Sequence, residues 1–247
     1  MYLLRLSCCL AGLWLGMLWA SRLAAVECLI FLPEAPSMLQ LQQALDEDPA
    51  LAGIDCRVVG KARSLQKRLA DSDDLSLAIA PANLLSGHDS LRPHYQGLID
   101  EQARRPWHLV CLGRPVDDWP NVPQVLGCLD LGGRAAIGRL LRQGFDEPPT
   151  IRRIRLTTKR EDVVRLLGLE LAQIALLTDG QYRLAHQQHG DKLHRLRSSK
   201  PLALPQVAVH QSLAAAMAAP FAQLQPATLG AMGLTGLRTI PEAEDRP

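Results

Sequence analysis

The chain has 247 residues, a formal net charge of +2 and 47% hydrophobic residues. That length suits one large domain or two small lobes, and near-neutrality gives no general pull toward nucleic acid or anionic membrane. Three Phe and three Tyr are too few to build an aromatic platform for stacking bases or sugars.

The N-terminus is set apart from the fold. Arg5 gives a short positive start, Leu6 to Ala20 is almost wholly apolar, and Ser21 to Ala25 is a smaller, more polar end. This order predicts a secretion signal over residues 1–25, cleaved after Ala25. An uncleaved anchor would need about 20 apolar residues, and this run is shorter. Glu27 before Cys28 argues against a lipid anchor. The signal holds two arginines and no acid, so the mature chain has equal basic and acidic counts. It is expected to be a soluble, exported, periplasmic protein. Cys28, Cys56, Cys111 and Cys128 remain, with no C-x-x-C pair among them. All four fall in runs that read as strands, where a buried thiol is the common fate. Export also permits a disulfide, with Cys28 and Cys56 as the pair if their strands are neighbours.

In chain order, Glu27–Leu32 reads as a strand, broken by Pro33-Glu-Ala-Pro36. Ser37 caps a helix over Met38–Asp46, and Ile54–Val59 is a second strand. A helix over 61–70 and a strand over 75–79 complete a β-α-β-α-β half. Asn83 to Leu98 reads as helix and loop, and Ile99–Arg104 as a short helix before Pro106. Trp107–Leu112 and Val125–Leu131 are strands. The second runs through Gly132-Gly133-Arg134 into a helix carrying Ala136, Ile137, Leu140 and Leu141. Ile151, Ile154 and Leu156 alternate as a strand. Thr158 and Glu161 have capping-box spacing before a helix that Gly168 ends, and Ile174–Leu177 is a strand that stops at a Thr-Asp-Gly turn. This βαβ unit has the layout of the earlier half. Residues 185–200 are basic and polar, Gln206–His210 is the last strand, and 211–233 form one or two helices. Residues 241–247 are expected to fray. Pro-bearing stretches near 104–107 and 200–206 suggest two crossings. They give lobes over 27–103 with 204–240, and over 107–200, joined by a hinge.

Four helix starts follow strands and are expected to meet in the crevice between the lobes. They are Ser37, Pro81-Ala82-Asn83, Gly132-Gly133-Arg134 and Thr157-Thr158. Glycine lets the backbone approach a ligand closely, a helix N-terminus favours anions, and Arg134 adds a fork of donors. Each start can equally be plain capping or a tight turn. His186 and His189 sit three apart, but their polar surroundings fit solvated side chains better than a metal site. No G-x-S-x-G serine, catalytic cysteine or paired helix carboxylates occur. No catalytic residue, cofactor or metal is therefore expected, and the chain does not read as an enzyme.

The order of these pieces resembles the type II periplasmic solute-binding proteins, most closely their phosphate/phosphonate branch. Four passages carry the resemblance: Leu75-Ser-Leu-Ala-Ile-Ala-Pro-Ala-Asn83; Arg155-Leu-Thr-Thr158 with its helix and Ala172-Gln-Ile-Ala175; Ser198-Ser199 to Val209; and Gly230-Ala-Met-Gly-Leu234. Gln173 stands where the family usually has Asp. A Ser-Thr-Ser-Gly ligand loop is replaced by Gly132-Gly133-Arg134, and Pro33–Ser37 lacks the usual aromatics. The resemblance implies an α/β, two-lobed fold, each lobe a small, mostly parallel sheet flanked by helices. It also implies a monomeric receptor for a small anionic solute such as phosphate or phosphonate. Such a receptor would serve an ABC-type importer or a membrane sensor. The alternative is a degenerate, ligand-less member acting as a signalling or protein-interaction module. A hydrolase on an α/β fold is the third reading, and no nucleophile supports it.

Overall fold

A computed structural model of the chain describes residues 26–71, 75–115 and 120–241. The predicted signal over 1–25 lies outside the described residues, as does all of the predicted tail after Pro241. The strands and helices that follow form two sheets, with a two-stranded ladder between them.

The first sheet begins with β1 (Val26–Ile30), α1 (Met38–Glu47), β2 (Ile54–Val58), α2 (Ala62–Asp71), β3 (Leu77–Ala80), α3 (Ala82–Leu85) and β4 (Leu91–Leu98). The chain then leaves through β5 (Arg104–Arg105). The second sheet is built from β6 (Trp107–Leu112), β7 (Gln124–Leu129), α4 (Gly133–Gly144), β8 (Ile151–Thr157), α5 (Arg160–Gly168), β9 (Ile174–Thr178), α6 (Asp179–His189) and β10 (Leu193–Ser198). The return runs through β11 (Leu202–Ala203) to β12 (Gln206–His210), α7 (Pro226–Met232) and β13 (Gly236–Thr239). A 3-10 segment over Ala215–Gln223 holds Pro220, which removes a backbone donor and prevents a regular α-helix there.

Both sheets follow one plan. The first runs β2-β1-β3-β12-β4, with β13 added at the edge, and the second runs β8-β7-β9-β6-β10. In each, three parallel strands are followed by one antiparallel strand, β12 or β6, that has just crossed from the other lobe. The crossing strands β5 and β11 pair antiparallel through Leu202 with Arg105 and Ala203 with Arg104. Parallel strands covered on both faces must be apolar throughout. Leu77–Ala80 and Ile174–Thr178 are buried at every position. The edge strand β8 differs: Arg152 and Arg153 point into solvent, a charge placement that blunts an open edge.

Ser37 caps α1, its Oγ accepting from the Gln40 N–H at 3.3 Å. Cys28 and Cys56 sit in register on neighbouring strands, and both are buried free thiols. Burial, with the Cys56 thiol beside it, holds the Cys28 thiol well above its ordinary pKa.

Several local expectations are corrected. Residues 91–98 are strand, not helix or loop, and Pro93 is tolerated there because the register with β12 shifts beside it. The helix expected over 99–104 is not formed: residues 99–103 make a tight turn, with Asp100 and Glu101 at positive φ, and Arg104 begins β5. The capping box is not at Thr158 and Glu161: Lys159 is the N-cap of α5 and makes no side-chain capping bond. It lies at Thr178 and Gln181 instead, where Thr-Asp-Gly starts α6 rather than a turn.

Candidate functional site

Between the two sheets lies a cavity of about 230 Å³. The first lobe lines it from the loop after β1 (Leu32-Pro33-Glu34), from Pro81-Ala82-Asn83 after β3, and from the end of α7. The second lobe adds Trp107, Leu131, and Leu140 and Gln143 of α4. The returning segment 202–205 closes its back. The walls are mostly apolar. Among the described residues Glu34 is the sole ionisable group on them, and no Lys, Arg or His lines them.

Glu34 reaches across the cleft. The hydroxyl of Thr178, the N-cap of α6 in the opposite lobe, favours its ionised form. Arg160, at the start of α5, attracts it from further away. Burial outweighs both partners and raises this carboxyl from 4.5 to about 7. Thr178 is rigid enough for this role: its Oγ1 accepts from the Gln181 N–H at 3.3 Å, while Gln181 Oε1 accepts from the Thr178 N–H at 2.9 Å.

The helix starts expected to cradle an anion are placed as follows. Pro81, Ala82 and Asn83 line the cavity, and Asn83 Nδ2 is buried with no hydrogen-bond partner. Ser37 and Thr158 line a neighbouring chamber with Lys159, Arg160, Glu161 and Asp130, and Ser37 Oγ is taken by its own helix. The Thr157 hydroxyl donates to the Lys159 carbonyl at 3.0 Å and lines neither chamber. The Gly132 and Gly133 N–H groups both donate to Asp130 Oδ1, at 3.2 and 2.8 Å, so the chain's own carboxylate fills that helix start. Gly132 has φ +117°, and a Cβ there would fall 2.3 Å from Leu84 of the opposite lobe, so this turn is where the lobes touch. Arg134 lies elsewhere, in a groove with Arg152, Arg153 and Arg155 along β8. It is therefore not brought together with Asn83. The reason is geometric: Arg134 is the second residue of α4 and projects from the exposed side of its first turn.

The crossings carry the strongest ion pairs near the cleft. Arg105 of β5 is 11% exposed, and it donates to Asp179 Oδ2 at 2.9 Å and to Asp100 Oδ2 at 2.6 Å. Asp179 begins α6 in the second lobe, and Asp100 belongs to the turn after β4 in the first. His108 lies 3.4 Å from the other Asp179 oxygen and 2.9 Å from Ser198 Oγ. Burial holds its ring below 6.5 even though Asp179 pulls the other way, so it is neutral at pH 7.

Glu34, Asp130, Thr178 and Arg105 are the residues the sequence reading missed. Glu34 stands inside the Pro33-Glu-Ala-Pro36 break, whose sequence carries no ligand signal. Thr178 had a legible signal, Thr-x-x-Gln, which the following Asp-Gly masked.

No family model matches this sequence, and no curated protein matches it. Solved structures do. A binding-protein component of an ABC phosphonate transporter from Pseudomonas aeruginosa aligns with TM-score 0.63 at 9% identity, covering 89% of this chain and 82% of that one. PhnD1 from Prochlorococcus marinus, in complex with methylphosphonate, aligns with TM-score 0.63 at 8% identity, over 89% and 94%. The BvgS VFT2 domain of Bordetella pertussis aligns with TM-score 0.54 at 15% identity, over 88% and 95%. At such identities the likeness is one of fold. The fold is α/β and two-lobed, of the type II periplasmic-binding-protein kind, and the neighbours named for a function are binding proteins rather than enzymes.

Proposed function

We propose that this protein is an exported solute-binding receptor, working in the periplasm as a monomer and serving an ABC-type importer or a membrane sensor. Its lobes are 27–103 with 204–240, and 107–200, and the signal at 1–25 is cleaved. One observation carries the reading: a mostly apolar cavity lies between two sheets that the chain joins by two crossings. A two-linker hinge lets such a cavity open for a solute and close on it.

The expected oxyanion fits this cavity poorly. Three of the four anticipated donor sets are satisfied within the chain or face elsewhere, and a carboxyl projects into the space. Transfer of an anion into apolar walls beside a carboxylate is unfavourable without paired donors.

A second reading is favoured by Glu34. Because its carboxyl faces the Thr178 hydroxyl of the opposite lobe, which favours its ionised form, this contact can keep the lobes together without a solute, leaving an interaction module for a membrane partner. A thermal-shift screen of the mature chain against cationic, neutral and anionic solutes separates the two. A receptor gains about 2.7 kcal/mol from a solute at 100 times its Kd. If no class raises the melting temperature, the solute reading is wrong and the interaction module stands.

A further inference from the structure

We propose that the cavity between the lobes selects a small, mostly apolar amine, held by Glu34 and Trp107, and rejects phosphate and phosphonate. The proposal rests on the receptor reading and names the solute class for that site.

Three features of the lining converge. Glu34 is a carboxyl with no full positive charge within ion-pair distance in the structure: Arg160 acts on it from more than 4 Å, across the neighbouring chamber. An ammonium entering the cavity would give the ionised carboxylate the counter-charge that burial makes it need. Trp107 lines the same space and offers an indole face, the aromatic surface that best attracts a cation. Asn83 supplies the third contact. Its Nδ2 is buried and unpartnered, and a half-turn of the amide presents Oδ1 as an acceptor for an ammonium N–H. The remaining wall, including Leu32, Leu131, Leu140 and Leu204, suits an alkyl or aryl body.

The charged groups around Glu34 come from each element packed near it. On its own loop no other ionisable side chain occurs. From the start of α5 come Arg160, which favours the carboxylate, and Lys159 and Glu161, which line the adjacent chamber with it; Asp130, before α4, lines that chamber too. Asp179 follows Thr178 on α6, but Arg105 and Arg183 pair with it. The adjoining chamber is therefore close to balanced in charge, and the preference for a positive solute rests on Glu34 itself, the sole ionisable group on the cavity wall among the described residues.

The test is a head-group series on one alkyl chain: n-pentylamine, 1-pentanol and n-pentylphosphonate, titrated calorimetrically at pH 8 into the mature wild-type protein, Glu34→Gln and Asn83→Ala. At pH 8 the amine is charged and Glu34 is mostly ionised. The expected result is amine binding at least tenfold tighter than the alcohol, with no saturable heat from the phosphonate. Glu34→Gln, shown folded by circular dichroism, should bring the amine-to-alcohol ratio near one, and Asn83→Ala should weaken the amine. Equal binding of alcohol and amine, or binding of the phosphonate, overturns the amine class while leaving the receptor reading intact. An amine preference that survives Glu34→Gln also overturns it. If none of the three binds, the amine proposal fails, and the broader solute screen then decides the receptor reading separately.

Discussion

The groove along β8 and the cleft between the lobes differ in charge: the groove is lined by arginines, the cleft by carboxylates and cations together. The groove gathers Arg134, Arg152, Arg153 and Arg155, and among the described residues no carboxylate lines it. The cleft holds Glu34 in its main cavity and Asp130 beside it, with the positive side chains kept to the adjoining chamber. The two-lobed fold places helix starts at the cleft, and helix starts favour anions. This chain meets that preference internally at one start, where Asp130 takes the Gly132 and Gly133 N–H groups, and the Thr178 hydroxyl at another favours the ionised form of Glu34. On the proposed reading, a fold shared with a phosphonate-transporter binding protein holds a cavity whose sole ionisable wall group among the described residues is a carboxyl.

The largest effect is expected at the junction that holds the cleft in place. Arg105→Ala should lower stability by about 3 kcal/mol, since it leaves the partly buried Asp179 carboxylate with only His108 and the exposed Arg183 beside it. Most of that loss belongs to Asp179, because the Asp100 side chain is 67% exposed and its pair with Arg105 is screened. Urea denaturation measures the change, and a loss below 1 kcal/mol would show that the crossing pair is not structural.

Asp130→Ala sharpens the comparison most. It should cost about 1.5–3 kcal/mol, the scale of charge-assisted hydrogen bonds. It should also free two N–H groups at the start of α4, so that millimolar phosphate restores part of the lost melting temperature. Wild type should show no such phosphate effect.

Glu34 sets a pH dependence of definite sign. Its carboxyl is near 4.5 when unfolded and about 7 in the folded protein, so the folded state holds this proton more tightly. The contribution to stability then falls as pH rises from about 4.5 to about 7 and is level above that. Glu34→Gln should remove this slope from a series of melts taken across that window. Asp48 acts in the opposite sense. Burial alone would raise it, but the Thr228 hydroxyl at 2.6 Å and the Gln225 and Ala50 N–H groups hold it below 3.8. Its stabilisation is present above the ordinary carboxylate range and is lost as pH falls through its lowered value.

The smallest effect belongs to the outer groove. Arg152→Glu with Arg153→Glu should change stability by no more than about 0.5 kcal/mol, since both side chains are exposed on an edge strand. Solute binding in the cleft should be unaltered, and a lost affinity would place the ligand in the wrong region.

The fold was legible because its signals are local. Alternating or continuous apolar runs such as Leu77–Ala80 and Ile174–Leu177 mark buried strands, Ser37 and Gly168 mark helix ends, and their order gives the architecture. Strand β4 was missed because Pro93 argues against a strand unless its partner slips register, which depends on β12, more than a hundred residues away. The site was less legible for a similar reason. A helix start reads the same in sequence whether its donors are open or already occupied. Asp130 stands two residues before Gly132, within reach, but its bond appears only when both glycines adopt positive φ. Glu34 finds Thr178 through a contact between residues 144 apart in sequence, and no local pattern encodes it.

Calorimetric titration of methylphosphonate into the wild-type protein at neutral pH tests the central claim most directly, because that claim is that the chain's own carboxylates fill the anion positions of the cleft. The result predicted is no saturable heat up to millimolar concentration. Saturable binding that weakens in Asn83→Ala would place an anion in the cavity and contradict the account.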